Sequence, residues 1–137
     1  MNYVEKIGKK RTILISIGIL LVSIHTIYFY HSVKPEIETK KLIQQIIRFL
    51  LTFGLLYLIY IGKNWARILS IILFSIGVIG AVISLFTFEI PVVNKIPFIV
   101  MAFVYSIAIY HFSFSKSFKA FFEFQNEKSN IFNQDNN

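Results

Sequence analysis

The chain contains no cysteine, so disulfides, thiolate metal sites, a cysteine nucleophile and a lipoprotein anchor are all excluded. Charge is scarce. Only 15% of its 137 residues are Asp, Glu, Lys or Arg, against about 25% in an ordinary soluble domain. Acids are scarcer than bases, seven against fourteen, which leaves a formal charge of +7. What fills the space is apolar. Hydrophobic residues make up 55% of the chain and aromatic residues 17%, and the mean hydropathy is +0.65. This balance rules out a soluble enzyme and a disordered basic tail. It leaves one class, an integral membrane protein of a single small all-α domain.

A membrane helix needs about 20 mostly apolar residues, and four runs meet that requirement. Thr12–Val33, Ile68–Phe88 and Ile96–Ser115 carry no formal charge, and Leu42–Gly62 carries one, Arg48. No water reaches the bilayer core, so each run satisfies its own backbone as a helix or joins a closed barrel. The runs are unbroken and lack the alternation of barrel strands, which predicts four transmembrane helices arranged as two hairpins. The basic residues Lys6–Arg11 followed by an apolar stretch resemble a signal peptide. The stretch is too long, however, and no small-residue cleavage site follows it, so we read an uncleaved span. Pro91 and Pro97 bracket the last connection. They predict that the third span stops near Phe88 and that the fourth begins with Pro97 in its first turn.

Lys and Arg collect on the cytoplasmic side of bacterial inner-membrane proteins. With both termini placed inside, nine of the fourteen are cytoplasmic and Lys34, Lys40, Lys41 and Lys95 are outside. The predicted location is therefore the inner (plasma) membrane, crossed four times. Ile7-Gly8-Lys9 before the first span matches Ile61-Gly62-Lys63 before the third, which suggests a faint parallel two-hairpin repeat. Basic, aromatic and aliphatic residues fall in this order in any two membrane hairpins, so duplication is one of two readings. The segment Gly62-Lys63-Asn64-Trp65-Ala66-Arg67 resembles a motif that opens a helix in uncharacterised small bacterial membrane proteins with four spans. The resemblance covers the third span and its entry and implies layout without an activity. Physically, Trp65 is an interface anchor, and Lys63 and Arg67 hold the link on the cytoplasmic side.

Few residues could carry chemistry. Gln44 or Gln45, Arg48 and Thr52 recur at helical spacing, so Arg48 either snorkels to the headgroups or faces the bundle interior. In the second reading it pairs with Glu89, with His25 nearby and Gln44 extending the polar face, to form an outward-facing pocket. His31 and His111 belong to opposite ends, so no metal site is expected, and no cofactor pattern is present. The first span holds no acid, which argues against a proton-coupled exporter of the four-span small multidrug type. Ser70, Gly77, Ala81 and Ser84 form a small-residue stripe in the third span, and Ala102 and Ser106 a shorter one in the fourth. Such stripes mark helix packing within the chain or against a partner. Beyond Ser115, Phe118, Phe121 and Phe122 share one face of the segment 116–125, the pattern of an amphipathic helix lying on the membrane surface. Residues 126–137 are rich in Asn and Gln and are expected to be disordered.

The partners these features imply are the lipid bilayer and either another membrane protein or further copies of this chain. Nucleic acid is not expected, because no basic soluble module exists to hold it. The leading expectation is a non-enzymatic accessory subunit or an immunity- or stress-type factor. A small oligomeric transporter or channel using the Arg48 pocket is second. An enzyme acting on lipid through His25 and Glu89 is third.

Overall fold

The computed structural model describes residues 1–33, 36, 38–87, 89 and 91–135, and among these it contains five helices and no strand. They are α1 (Tyr3–Val33), α2 (Thr39–Tyr60), α3 (Asn64–Thr87), α4 (Val92–Phe114) and α5 (Lys116–Asp135). The first four are long and apolar enough to cross a membrane, and only 11% to 17% of each apolar window is buried inside the protein. Their outer surfaces are therefore aliphatic, as lipid demands. The expected end of the third span at Phe88, and Lys34 and Pro35 in the first connection, lie outside the described residues.

Helix α1 begins nine residues before the apolar run. Asn2 caps it: Asn2 Oδ1 accepts from the Glu5 amide at 3.0 Å, and Glu5 Oε2 accepts from the Asn2 amide at 2.8 Å. This reciprocal arrangement is a capping box. At 31 residues the helix is about 46 Å long, against a hydrocarbon core of about 30 Å. Its first turns, which carry Lys6–Arg11, extend beyond the charge-free run that begins at Thr12. Helix α4 also starts earlier than expected. Pro91 presets the entry with φ −51° and its carbonyl accepts from the Asn94 amide, so Pro97 sits buried inside the helix and not in its first turn.

The α2–α3 link is a Schellman turn. The Gly62 amide donates to the Ile59 carbonyl and the Lys63 amide to the Leu58 carbonyl, both at 3.0 Å, with Gly62 at φ +88°. Only glycine adopts that backbone without strain.

Helix α5 lies across the end where α1 begins, α2 turns into α3 and α4 stops; we call this the basal end. Its phenylalanines share the work. Phe118 packs on His111 and Phe112 of α4, each with ring centroids 5.2 Å away. Phe121 meets Tyr60 of α2, and Phe122 lies under the Arg67 guanidinium of α3 at 5.3 Å. Phe118 and Phe121 are fully buried and Phe122 nearly so. The face assigned to lipid from the sequence is thus spent on protein, because the first turns of α1 offer it a wall. The helix also continues past Asn126 to Asp135, through the segment expected to be disordered.

Two glycines make the docking close. A Cβ on Gly8 would collide with the Ser117 carbonyl, and one on Gly62 would come within 2.7 Å of the Asn126 amide. These are the two residues that align in the faint repeat, and their shared property here is a seat for α5. The hairpins themselves are unequal: α3 and α4 pack along their length, whereas α1 and α2 touch less.

We predict that Gly8→Ala and Gly62→Ala each loosen α5. Overpacking costs about 1–3 kcal/mol, so amide exchange across residues 116–135 should speed by about fivefold or more. Gly54→Ala is the matched control, since nothing lies within 4 Å of its added Cβ. Unchanged exchange in both seat variants would refute the docking.

Candidate functional site

The polar residues of the bundle collect in two places. One is the basal end. Thr12 of α1 and His111 of α4 are buried there, 1% and 4% exposed. The Thr12 hydroxyl donates to the Gly8 carbonyl at 2.8 Å and meets His111 Nε2 at 3.0 Å. A hydroxyl has one proton to give, so Nε2–H donates to Thr12. The contact ties α4 to α1 directly beneath α5, which makes His111 a packing residue with a satisfied nitrogen.

The other place is a polar cavity of about 140 Å³ between α1, α2 and α4. Arg48 lines it with Gln45 and Thr52 from α2, Ser23 and Thr26 from α1, and Tyr105 from α4. The α2 residues follow from helix geometry, since positions 45, 48 and 52 are spaced i, i+3, i+7. Tyr105 reaches the site because Gly77 makes room: a Cβ there would sit 2.9 Å from the Tyr105 ring. Tyr105 faces Ser23 and Arg48 across this cavity. The Ser23, Thr26 and Thr52 hydroxyls donate back to carbonyls of their own helices at 3.0, 2.8 and 2.9 Å. They therefore present lone pairs to the cavity. Gln45 Oε1 is taken by His31 Nε2 at 2.8 Å, which leaves the Gln45 amide protons facing the site. Among the described residues no protein acceptor meets the Arg48 guanidinium.

A second cavity of about 360 Å³ adjoins the first and shares Arg48, Thr52, Met101 and Tyr105 with it. Leu51, Leu55, Leu73, Phe74 and Ile76 form its apolar walls.

Arg48 lines both cavities and is itself exposed, and its expected companions are elsewhere. Glu89 is exposed beyond α3, does not line either cavity, and forms no ion pair with Arg48 among the described residues. His25 is exposed on another face of α1, about 100° of helix rotation from Thr26, with Phe29 as its ring neighbour. Gln44 is exposed, and its neighbour Gln45 takes the place beside Arg48. Depth along the bilayer is readable from sequence, but the direction a side chain takes around its helix depends on neighbours that sequence does not identify. Tyr105 is hidden from the sequence for the same reason, since its place depends on Gly77 across one hairpin.

The small-residue stripe divides. Ser70 and Ala81 are buried, and Gly77 is filled by Tyr105. Ala102 is half-buried, Ser84 is partly open, and Ser106 is exposed with its hydroxyl bonded to the Ala102 carbonyl at 2.7 Å. Trp65 is 57% exposed at the basal end, where Lys63 is partly covered and Arg67 is engaged by Phe122.

Comparison of the chain with protein-family models, curated proteins and solved structures finds no match.

The absence of an Arg48–Glu89 contact predicts additivity. In a double-mutant cycle of Arg48→Ala and Glu89→Ala, the coupling should stay within about 0.5 kcal/mol, the usual limit for independent sites. Reversible unfolding in mixed micelles measures it. A coupling above about 1 kcal/mol would restore the pair.

Proposed function

We propose that this chain is a small non-enzymatic protein of the bacterial inner membrane that acts through helix–helix contacts, as an accessory subunit or an immunity- or stress-type factor. The observation that carries the reading is a pair of unused glycines. Gly54 of α2 and Gly80 of α3 have no atom within 4 Å of an added Cβ, unlike Gly77, whose missing side chain admits Tyr105. Glycine inside a helix costs roughly 0.5–1 kcal/mol relative to alanine. In lipid, close backbone approach by another helix offsets that cost. Around Gly80, Ile76, Ile79 and Ile83 are all at least 57% exposed, so the open notch has aliphatic walls suited to a partner helix. Along α2 the buried residues are confined to Leu56 and Ile59 near its basal end, and the remainder of the helix is available to neighbours.

The proposed orientation places the basal end and α5 in the cytoplasm. It rests on the clustering of Lys6, Lys9, Lys10, Arg11, Lys63, Arg67, Lys116, Lys119 and Lys128 there. Because the chain lacks cysteine, single cysteines at Lys40 and Asn130 can report it. The first should react with an impermeant maleimide in intact cells and the second only after lysis; the reverse pattern would overturn the orientation.

Gly80→Leu tests the contact reading. It should leave the unfolding midpoint of the isolated protein nearly unchanged, because the site is open. It should also abolish the crosslinked assembly formed at native expression level. Retention of the assembly in both Gly80→Leu and Gly54→Leu would defeat the proposal.

The second reading, a small oligomeric transporter for an anionic solute, is favoured by the Arg48 cavity alone. It requires flux in liposomes that disappears in Arg48→Gln.

A further inference from the structure

We propose that the two adjoining cavities along α2 hold an anionic phospholipid, with its phosphate at Arg48 in the chamber between α1, α2 and α4 and one acyl chain in the mostly apolar chamber between α2, α3 and α4. The proposal shares the membrane placement argued above but does not depend on a helix partner.

The two adjoining cavities differ in chemistry and share one wall. The upper one presents the donors left unused by the protein, the Arg48 guanidinium and the Gln45 amide protons. Both suit an oxyanion, and arginine in particular matches phosphate through its planar fork. Among the described residues no carboxylate neutralises Arg48, so a charge within a span stands without a counter-ion from the protein. That arrangement is costly in lipid unless something else supplies the negative charge. The hydroxyls of Ser23, Thr26 and Thr52 face the same space as acceptors, because their protons go to Ile19, Val22 and Arg48 carbonyls. They suit the hydroxyl or ammonium protons of a headgroup.

The lower cavity is walled mostly by hydrocarbon, with the unpartnered Ser70 hydroxyl also on its lining. Leu51, Leu55, Leu73, Phe74 and Ile76 line its walls. Leu51 is 64% exposed, Leu73 47% and Ile76 61%, so the cleft opens sideways toward the bilayer, where a lipid can enter without leaving the membrane. From Arg48 to Leu55 the axial distance is about 10 Å, which sets the chain below the phosphate along the membrane normal. A free anion would fill only the upper chamber and leave the apolar one empty. A partner helix is about 10 Å across and would rest outside the cleft.

The test uses the full chain in phosphatidylcholine nanodiscs doped with phosphatidylglycerol carrying a photoreactive acyl chain. Adducts should map to Leu51, Leu55, Leu73 or Ile76. They should exceed those from the matching phosphatidylcholine probe by about fivefold, the order expected for one basic residue acting on an anionic lipid. Arg48→Gln should erase that preference and Arg48→Lys should keep most of it. Leu55→Trp, which fills the apolar chamber without touching the charge, should expel the label. Inorganic phosphate should not compete. Equal labelling by the two probes, adducts confined to the outer faces, or competition by inorganic phosphate would each overturn the lipid site alone. Exclusion of the chain from nanodiscs would overturn the membrane reading together with it.

Discussion

The architecture depends on one packing event, the seating of α5 on two glycines. Four apolar helices in lipid have little to hold them in a particular arrangement, because lipid chains solvate their side chains as well as neighbouring helices do. Here the basal end supplies the order. Gly8 and Gly62 let the α5 backbone approach closely, and the phenylalanine face then reaches α4, α2 and α3 in turn. The buried cluster of Ile59, Ala66, Phe112, Phe118 and Phe122 forms around that contact. Each such phenylalanine is worth about 3–5 kcal/mol against truncation to alanine, a large share of the stability of a small domain.

The result is a graded structure. At the basal end the helices are tied by buried aromatic rings and by the Thr12–His111 hydrogen bond. Farther along, α2 contributes no buried side chain between Leu42 and Leu55. The cleft headed by Arg48 occupies this loosely packed region, between α2 and the closely packed α3–α4 pair. Low local packing density is where local opening is least costly, and a binding site for a bulky amphiphile needs such a place. The stabilising core and the accommodating cleft are separated along the bundle axis, so one can vary without undoing the other.

Much of this was legible beforehand. The four helices follow from charge-free runs of the right length, since the bilayer permits almost nothing else. The amphipathic pattern of α5 was equally plain, but a row of phenylalanines looks the same whether it faces lipid or protein. The sign that decided it was Gly8, a residue whose need for close approach appears only once Ser117 is known to lie against it. At the cleft, the spacing of Arg48 and Thr52 revealed a polar face. Periodicity does not choose between Gln44 and Gln45, four and three residues from Arg48, because both spacings fall on that face. Glu89 matches Arg48 in depth alone, and depth carries no information about azimuth. Tyr105 depended on a partner across a hairpin, which no local pattern encodes.

Chain order gives the Schellman turn at Gly62 a second meaning. The turn is complete within the α2–α3 hairpin, through hydrogen bonds among Leu58, Ile59, Gly62 and Lys63. It therefore forms as soon as that hairpin is made, while α5 is still untranslated. The socket precedes its plug in biogenesis. Until α5 docks, Tyr60, Ala66 and Phe112 form an uncovered apolar floor at the basal end.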